Sequence, residues 1–459
     1  MRVLLARPND SGVYALFKQS TLERRMPPLS LMYLESYLLK SGHTVEIWDG
    51  QMSQEPFTKV LKRFNPEMVG VGGTTPEANF SYELFELSKK YSENIITVAG
   101  GPHFQMFTPT DYPLIDYIVV GDGEVAITYL ADGNRPDNHI IEMLPTTKLF
   151  DLPELRWDKI NNWEYNYTFG GRLVSTAAIL SSRGCKYRCT FCHNSKCYRP
   201  VRFRDIPNVI AEIEMIKSMG VNHFVFLDET FSLDRDRTIA LCREMKKHNM
   251  LWKCLTRADC VDKEVLSEMV DAGCVGVSIG VESGNTEILK NMKKMVTKEQ
   301  IIAAFDVLSK FEKLEIRASF IVGHPYETEE TVEETIRFAC SLPADKAFFN
   351  IMTPYPSSVV YDQAINGEGI YLLDPNWEHF RRAGGCTIRT EALSPDDLIR
   401  LQKKAHKTFY TQYRIISQYL SELIDTPDKE FYNRPLTDSL MWDDVQILDV
   451  NPWKGKRGS

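Results

Sequence analysis

Cys185, Cys189 and Cys192 stand in the spacing Cys-x3-Cys-x2-Cys, with Phe191 directly before the last, just after the apolar run Ala177-Ala178-Ile179-Leu180. Three thiolates are one too few for a closed tetrahedral site. They suit a four-iron four-sulfur cubane, which has four iron corners and keeps one open for a ligand that is not protein. The competing chemistry is structural zinc, with His193 or Cys197 as a fourth ligand. Zinc sites usually pair two separated clips, whereas these candidates crowd into one short stretch, which favours the cubane. The other seven cysteines, Cys197, Cys242, Cys254, Cys260, Cys274, Cys340 and Cys386, are scattered, as expected of buried thiols in a reducing compartment rather than a disulfide framework.

A loop of this kind must be carried by something rigid. From Ser175 the chain repeats an apolar strand and an amphipathic stretch of helical length, with strands expected at 177–180, 223–227, 251–255, 275–281, 316–322 and 347–352. Asp205-Ile206-Pro207 opens a helix whose face is Val209, Ile210, Ile213, Ile216 and Met219. Polar motifs follow the strands: Asp228-Glu229-Thr230-Phe231, Thr256-Arg257-Ala258-Asp259, Gly280-Val281-Glu282-Ser283-Gly284 and Gly323-His324-Pro325-Tyr326-Glu327. Ligands gather at the carboxyl ends of parallel strands in barrels of this kind.

The first 131 residues also alternate strands and helices, the pattern of a Rossmann-like doubly wound parallel sheet. Strands are expected at 2–6, 44–48, 68–71, 95–99 and 117–120, and Pro27-Pro28-Leu29-Ser30 opens a helix that ends at Ser41-Gly42. Three strand ends carry glycine loops: Gly72-Gly73-Thr74-Thr75-Pro76, Gly100-Gly101-Pro102-His103 and Gly121-Asp122-Gly123-Glu124. Open sheets bind ligands there, and glycine lets the backbone approach a large one. A flavodoxin-like nucleotide site is the other reading of this half.

Residues 132–172, rich in Asn, Asp and Pro and holding Trp157 and Trp163, show no sustained period and are expected to form a linker. After the barrel, residues 361–459 are expected to be mainly helical, with Ser394-Pro395-Asp396-Asp397 opening a helix through Leu398, Leu401, Ala405 and Phe409 and on past Tyr413, Ile415, Ile416 and Leu420. A chain of 459 residues with 43% hydrophobic content calls for two or three domains. Its net charge of −8 argues against a nucleic-acid surface. No window reaches the length of a membrane span and no charged-then-apolar leader opens the chain, so a cytoplasmic protein is expected.

The segment 183–193, Arg-Gly-Cys-Lys-Tyr-Arg-Cys-Thr-Phe-Cys-His, resembles the cluster loop of the radical S-adenosylmethionine superfamily. Pro27-Pro28-Leu29 with the Gly100 and Gly121 loops resembles the cobalamin-binding domain that precedes many such modules. The resemblance implies a cobalamin-binding domain at 1–131 and a partial (β/α)6 TIM-like barrel at 173–360. It implies a [4Fe-4S] cluster on Cys185, Cys189 and Cys192, and S-adenosylmethionine contacts from Phe191, Asp228, Glu229, Arg257, Glu282, Ser283, Ile321, Val322 and Gly323. Cobalamin contacts are implied at Pro28, Leu29, Gly73, Thr74, Thr75, Pro76, Gly100, Gly101, Pro102, His103, Gly121, Asp122, Gly123 and Glu124. The chain departs from methionine-synthase-type domains in lacking Asp-x-His-x-x-Gly, which implies cobalamin bound without a histidine below cobalt, with Thr74 to Glu77 as lower-face neighbours. The turn Pro354-Tyr355-Pro356-Ser357-Ser358 also departs from the family's Pro-Tyr-Pro-Gly-Thr.

The activity so implied is methylation of an unactivated carbon. One S-adenosylmethionine methylates cobalamin, and a second is split to a 5′-deoxyadenosyl radical that abstracts hydrogen from the substrate, which then takes the methyl group. An oxygen-sensitive cluster implies an anaerobic setting and an external one-electron donor of the ferredoxin or flavodoxin type. The substrate is open between a peptide or protein, for instance Cα methylation of a glutamine residue, and a small molecule. Two rivals are oxidative cyclisation or rearrangement with the same cofactors, and a non-catalytic cobalamin or iron-sulfur sensor.

Overall fold

The computed structural model describes residues 1–9, 25–142, 154–160, 165–169, 172–197, 200–381 and 386–423. The expectations placed on Trp163 and on the side chains of Tyr413, Ile415, Ile416 and Leu420 lie outside the described residues.

The first sheet comprises β1 (Arg2–Arg7), β2 (Thr44–Asp49), β3 (Met68–Gly72), β4 (Ile96–Gly100), β5 (Tyr117–Val120) and β6 (Ile140–Glu142), all parallel in the order β2-β1-β3-β4-β5-β6. Alternation along β1 explains why both faces are covered. Val3 and Leu5 join one apolar cluster, and Leu4 and Ala6 the other. The sixth strand comes from the stretch expected to be linker, where the apolar pair Ile140-Ile141 between polar neighbours gives no run or period. The helix Leu29–Lys40 does not stay with its own sheet. Leu29, Met32 and Tyr33 enter the core of the second module beside Ala177, Phe224 and Trp252.

After an antiparallel hairpin, β7 (Asn166–Phe169) with β8 (Arg172–Ser175), comes β9 (Ala177–Ile179). A short antiparallel pair, β10 (Ser182–Arg183) and β11 (Arg202–Phe203), brackets the cysteine loop. Then β12 (His223–Phe226), β13 (Leu251–Thr256), β14 (Cys274–Glu282), β15 (Glu315–Val322) and β16 (Lys346–Ile351) complete a six-stranded parallel sheet in strict sequence order from β9. Helices such as Ile206–Ser218 and Glu329–Ser341 cover its outer face. This is the six-strand partial barrel expected from the periodicity. Gly284 permits close approach of the Glu329–Ser341 helix, since a Cβ there would lie 2.5 Å from Phe338 Cβ.

The serines in the Pro-Tyr-Pro turn have a use of their own: the Ser358 hydroxyl accepts from Tyr361 N and caps the helix Val359–Asn366. An antiparallel pair, β17 (Ile370–Leu372) and β18 (Ile388–Thr390), follows, so this region is not purely helical.

A parallel barrel left open after β16 exposes a row of backbone groups. The long helix Pro395–Leu423 covers them with side chains spaced four apart on one face: Gln402 Nε2 donates to Phe349 O (2.8 Å), Phe349 N donates to His406 Nε2 (3.3 Å), and Tyr410 Oη donates to Ala347 O (3.1 Å). Burial lowers the His406 pKa to about 4, so the ring is neutral and accepts. Gln402→Ala and Tyr410→Phe should each lower unfolding stability by about 1–3 kcal/mol in urea melts, since each strands a buried strand-edge group. His406 is depressed on folding, so its contribution is present above the unfolded pKa near 6.5 and is lost as pH falls through about 4. His406→Gln should flatten the fall in urea midpoint between pH 7 and pH 4.

Candidate functional site

The cysteine loop leaves β9 and is fastened at its base. Asp228, at the end of β12, accepts from Ser181 N (2.8 Å) and Ser181 Oγ (2.7 Å), and from Ser182 Oγ. Its neighbour Glu229 is exposed and accepts from Gly184 N at 3.1 Å. Inside the loop, Asn194 Nδ2 donates to Cys185 O (2.7 Å) and Tyr187 O (2.6 Å). Thr190 N donates to Met292 O (2.9 Å), and the Thr190 hydroxyl lies 3.2 Å from His324 Nε2. The segment is thereby held to the ends of β12 and β15 and to the end of the helix Thr286–Asn291.

The three thiols sense one another's charge, and burial pushes Cys189 up and Cys192 up to about 11. Two buried cations oppose this, Lys294 and Arg257, the latter with Nη1 4.0 Å from Cys189 Sγ. Among the described residues no three His, Cys, Asp or Glu side chains converge as for a single ion. A cubane instead takes its thiolates on three separate corners, and an all-sulfur donor set beside two cations suits it.

Arg257 is locked: it stacks 3.5 Å from the Tyr187 ring centroid, donates to both oxygens of Asp259 (2.8 and 3.2 Å) and to Lys294 O (2.7 Å). Glu282 has φ +69° at an irregularity in the β14–β15 pairing, a backbone form costly outside glycine, and Lys294 Nζ holds its Oε1 at 2.7 Å. The Lys294 ammonium also lies 5.9 Å from the Phe191 ring.

Other residues expected at the cosubstrate have protein partners. Asp228 is buried and its carboxylate accepts from the loop base. Ser283 is fully buried, with its hydroxyl 3.1 Å from Thr335 Oγ1 and accepting from Asn285 N. Val322 lies in the core and its carbonyl accepts from Met352 N, while Gly323 N donates to Glu327 Oε2 at 2.6 Å. Ile321, half-buried, keeps a face toward the barrel interior. The structure thus brings Glu229, Arg257 and Glu282 around the cysteine loop with Phe191, while Ile321 packs against the barrel core. Lys294, Asn194 and His324 were not singled out from the sequence, and only the position of His324 in a strand-end motif offered a signal.

In the first module, the strand-end loops pack on one another. Gly101 has φ +87°, and a Cβ there would lie 2.9 Å from Gly73 O. Cβ atoms added to Gly72 and Gly100 would meet nothing within 4 Å, so the backbone is open to a large ligand at these two strand ends. Thr74, Gly101 and Pro102 are exposed, and Gly121 and Gly123 half-exposed, whereas Pro28, Leu29, Gly73, Thr75 and Pro76 are buried. Thr74 spends its N–H and hydroxyl on Glu77 (2.8 and 2.7 Å). His103 is buried, with a pKa lowered by burial to about 3, its Nε2 2.8 Å from Tyr112 Oη and its ring 5.0 Å from that of Trp377. It is a core side chain, as befits a ring so desolvated.

Asp122 and Glu124 pair with arginines of the second module. Arg183 Nη2 donates to Glu124 (2.6 Å), Arg183 Nη1 lies 3.7 Å from Asp122, and Arg202 pairs with Asp122. Gln105 Nε2 lies 3.0 Å from His193 Nε2, beside the last cysteine. The glycine loops and the cysteine loop therefore look at each other across one shared wall, and Asn79 Nδ2 donates to Glu378 (3.0 Å) on the C-terminal side.

Residues 179–339 match the Radical SAM superfamily and residues 20–131 the B12 binding domain. An uncharacterized methyltransferase of Pyrococcus horikoshii is 30% identical over 455 residues, 92% of this chain and 95% of the relative. The chain belongs to the cobalamin-dependent radical S-adenosylmethionine family, methyltransferase type. Its cofactors are a [4Fe-4S] cluster, S-adenosylmethionine and cobalamin. An anaerobic magnesium-protoporphyrin IX monomethyl ester cyclase of Rubrivivax gelatinosus is also 30% identical, over 82% of this chain and 71% of the relative. The fold is similar to the radical S-adenosylmethionine methyltransferase TsrM of Kitasatospora setae, with cobalamin and cluster bound, at TM-score 0.68 and 17% identity over 89% of this chain and 90% of that one.

Removing Arg183 leaves Glu124 buried without its partner. Arg183→Met should cost about 3–5 kcal/mol of stability, measured by urea denaturation, whereas Arg400→Met, which removes an exposed and solvent-screened pair, should leave the urea midpoint nearly unchanged.

Proposed function

We propose that this enzyme transfers a methyl group from S-adenosylmethionine to an unactivated carbon of its substrate. The observation that carries the reading is the shared wall, Arg183–Glu124, Arg202–Asp122 and Gln105–His193, which sets the open glycine loops opposite the cysteine loop. When bound, the cluster supplies one electron to cleave S-adenosylmethionine and cobalamin carries the methyl group.

The chain's own residues would do the following. Cys185, Cys189 and Cys192 hold the cluster, and Arg257 and Lys294 favour their thiolates. Glu229 and Glu282, the two acids at the strand ends that reach the site, accept from the amine and ribose hydroxyls of the cosubstrate, while Ile321 lies against its adenine. Phe191 excludes water beside the last cysteine. Gly72, Thr74, Gly100, Gly101, Pro102, Gly121 and Gly123 offer cobalamin a backbone surface. Its lower face would meet no histidine, since His103 is committed to the core. Placement matters because a radical of this energy reacts with whatever is nearest. An external ferredoxin- or flavodoxin-type protein would deliver the electron, and the substrate would be a peptide or a small molecule.

Cyclisation without methyl transfer is the second reading, favoured by the cyclase relative. The test uses anaerobically reconstituted holoenzyme, reductant, methyl-labelled S-adenosylmethionine and fractionated anaerobic extract as the substrate source. We expect 5′-deoxyadenosine together with S-adenosylhomocysteine, a labelled product, and loss of 5′-deoxyadenosine in Cys189→Ala. Formation of 5′-deoxyadenosine with an unlabelled product would sink methyl transfer in favour of cyclisation.

A further inference from the structure

At the floor of the barrel, the amino-terminal ends of the strands, cations outnumber acids among the described residues. Lys253 on β13, Arg317 on β15 and Lys346 at the start of β16 all converge on one carboxylate, Glu315. Glu315 Oε1 takes Lys253 Nζ at 3.1 Å and Arg317 Nε, and Oε2 takes Lys346 Nζ at 3.3 Å. Lys253 and Arg317 are each only 5% exposed. Arg317 Nη1 donates to Tyr167 Oη of the hairpin at 3.1 Å, but its Nη2 is buried with no partner.

An unpartnered guanidinium nitrogen in a dry wall is costly, and so is an excess of buried cations. Burial lowers the Lys253 pKa to about 8, against Glu315, which raises it. Tyr167, Lys253 and Arg317 line a cavity of about 220 Å³ whose wall also includes Leu227 and Leu255. These leucines sit on interior strands yet are 43% and 42% exposed, so they wall an open lumen rather than a filled core. The floor is cationic and the walls above it are apolar.

We propose that the floor of the lumen is a binding subsite for an oxyanion, a carboxylate or phosphate group received by Arg317 Nη2 and Lys253. Arg317 and Ile321 are four residues apart on β15, which places the subsite about 13 Å below the level of Ile321. An anion there has two possible sources: the end group of a substrate whose apolar body runs up the leucine wall to the mouth, or a free inorganic anion. The first source rests on the enzyme reading above. Binding itself does not.

Anaerobically reconstituted holoenzyme without reductant, so that nothing turns over, is titrated calorimetrically with inorganic phosphate, acetate and octanoate. Saturable binding of phosphate or a carboxylate is expected, weakened at least tenfold in Arg317→Met and strengthened severalfold in Glu315→Gln, which removes the competing carboxylate. The opposite signs separate the subsite from loss of fold, and far-ultraviolet circular dichroism checks both variants. Octanoate at least tenfold tighter than acetate identifies a substrate end group, and equal affinities identify a free anion. Absence of saturable binding by all three probes, or affinities unchanged in both variants, overturns the subsite. Because no methyl transfer is measured, that result leaves the enzyme reading standing.

Discussion

Two metal-bearing modules can cooperate only if their facing loops keep a fixed distance, and here that distance is set by ion pairs that water does not reach. Arg183 and Arg202 bracket the cysteine loop on the short β10–β11 ladder, while Asp122 and Glu124 cap the last glycine loop of the first sheet. All four side chains are largely buried. Buried pairs of this kind add little to stability against apolar isosteres, but they are strongly directional, and breaking one leaves a charge stranded. Their value is registry. The helix Leu29–Lys40 adds the apolar half of the same joint, with Leu29 and Met32 buried in the barrel core and the Arg183 guanidinium 4.9 Å from the Tyr33 ring.

The rest of the architecture keeps the cysteine loop still relative to that joint. The loop is tied at its base by Asp228, across its middle by Asn194, and near its end by Thr190 to His324 and Met292. These ties come from two barrel strand ends, from the end of the helix Thr286–Asn291 and from the loop itself, so the thiols are held from several sides. On the far edge, Gln402, His406 and Tyr410 satisfy β16, and this closes a sheet whose sixth strand would otherwise be an exposed template. The barrel thus stays open without leaving its β16 edge unpaired.

What could be seen in the sequence was local. The cysteine spacing, the apolar runs of the eleven expected strands and the glycine loops are patterns within a few residues, and they placed both sheets but for one strand. The strand β6 escaped because its only apolar residues are the pair Ile140-Ile141 between His139 and Glu142, whereas the equally short β9 lies in the apolar run Ala177 to Leu180. Within the site, adjacency misled. Asp228 and Glu229 follow the same strand, but one turns into the loop base and the other outward. Glu282 and Ser283 are separated by the positive φ at Glu282, which sends the serine toward the Glu329–Ser341 helix. Arg183 with Glu124 and Lys294 with Glu282 depend on which helix face meets which strand end, and a linear reading holds no information on that. Lys294 in particular sits in a lysine-rich run that composition assigns to solvent, yet it is 5% exposed.

The treatment of positive charge differs between the two ends of the barrel, and the difference carries meaning. At the mouth each cation near the sulfurs has its own carboxylate, Arg257 with Asp259 and Lys294 with Glu282, so the protein holds no stranded charge before the cluster's own negative charge is counted. Such pairs act on thiolates as oriented dipoles and cost little to keep, since neither member is stranded when a ligand leaves. At the floor three cations share Glu315, and one guanidinium nitrogen has nothing to bond. A fold that pairs its charges so carefully at one end, and at the other sets three cations around Glu315 beside the Tyr167 hairpin, has been shaped there for a charge that arrives with a ligand.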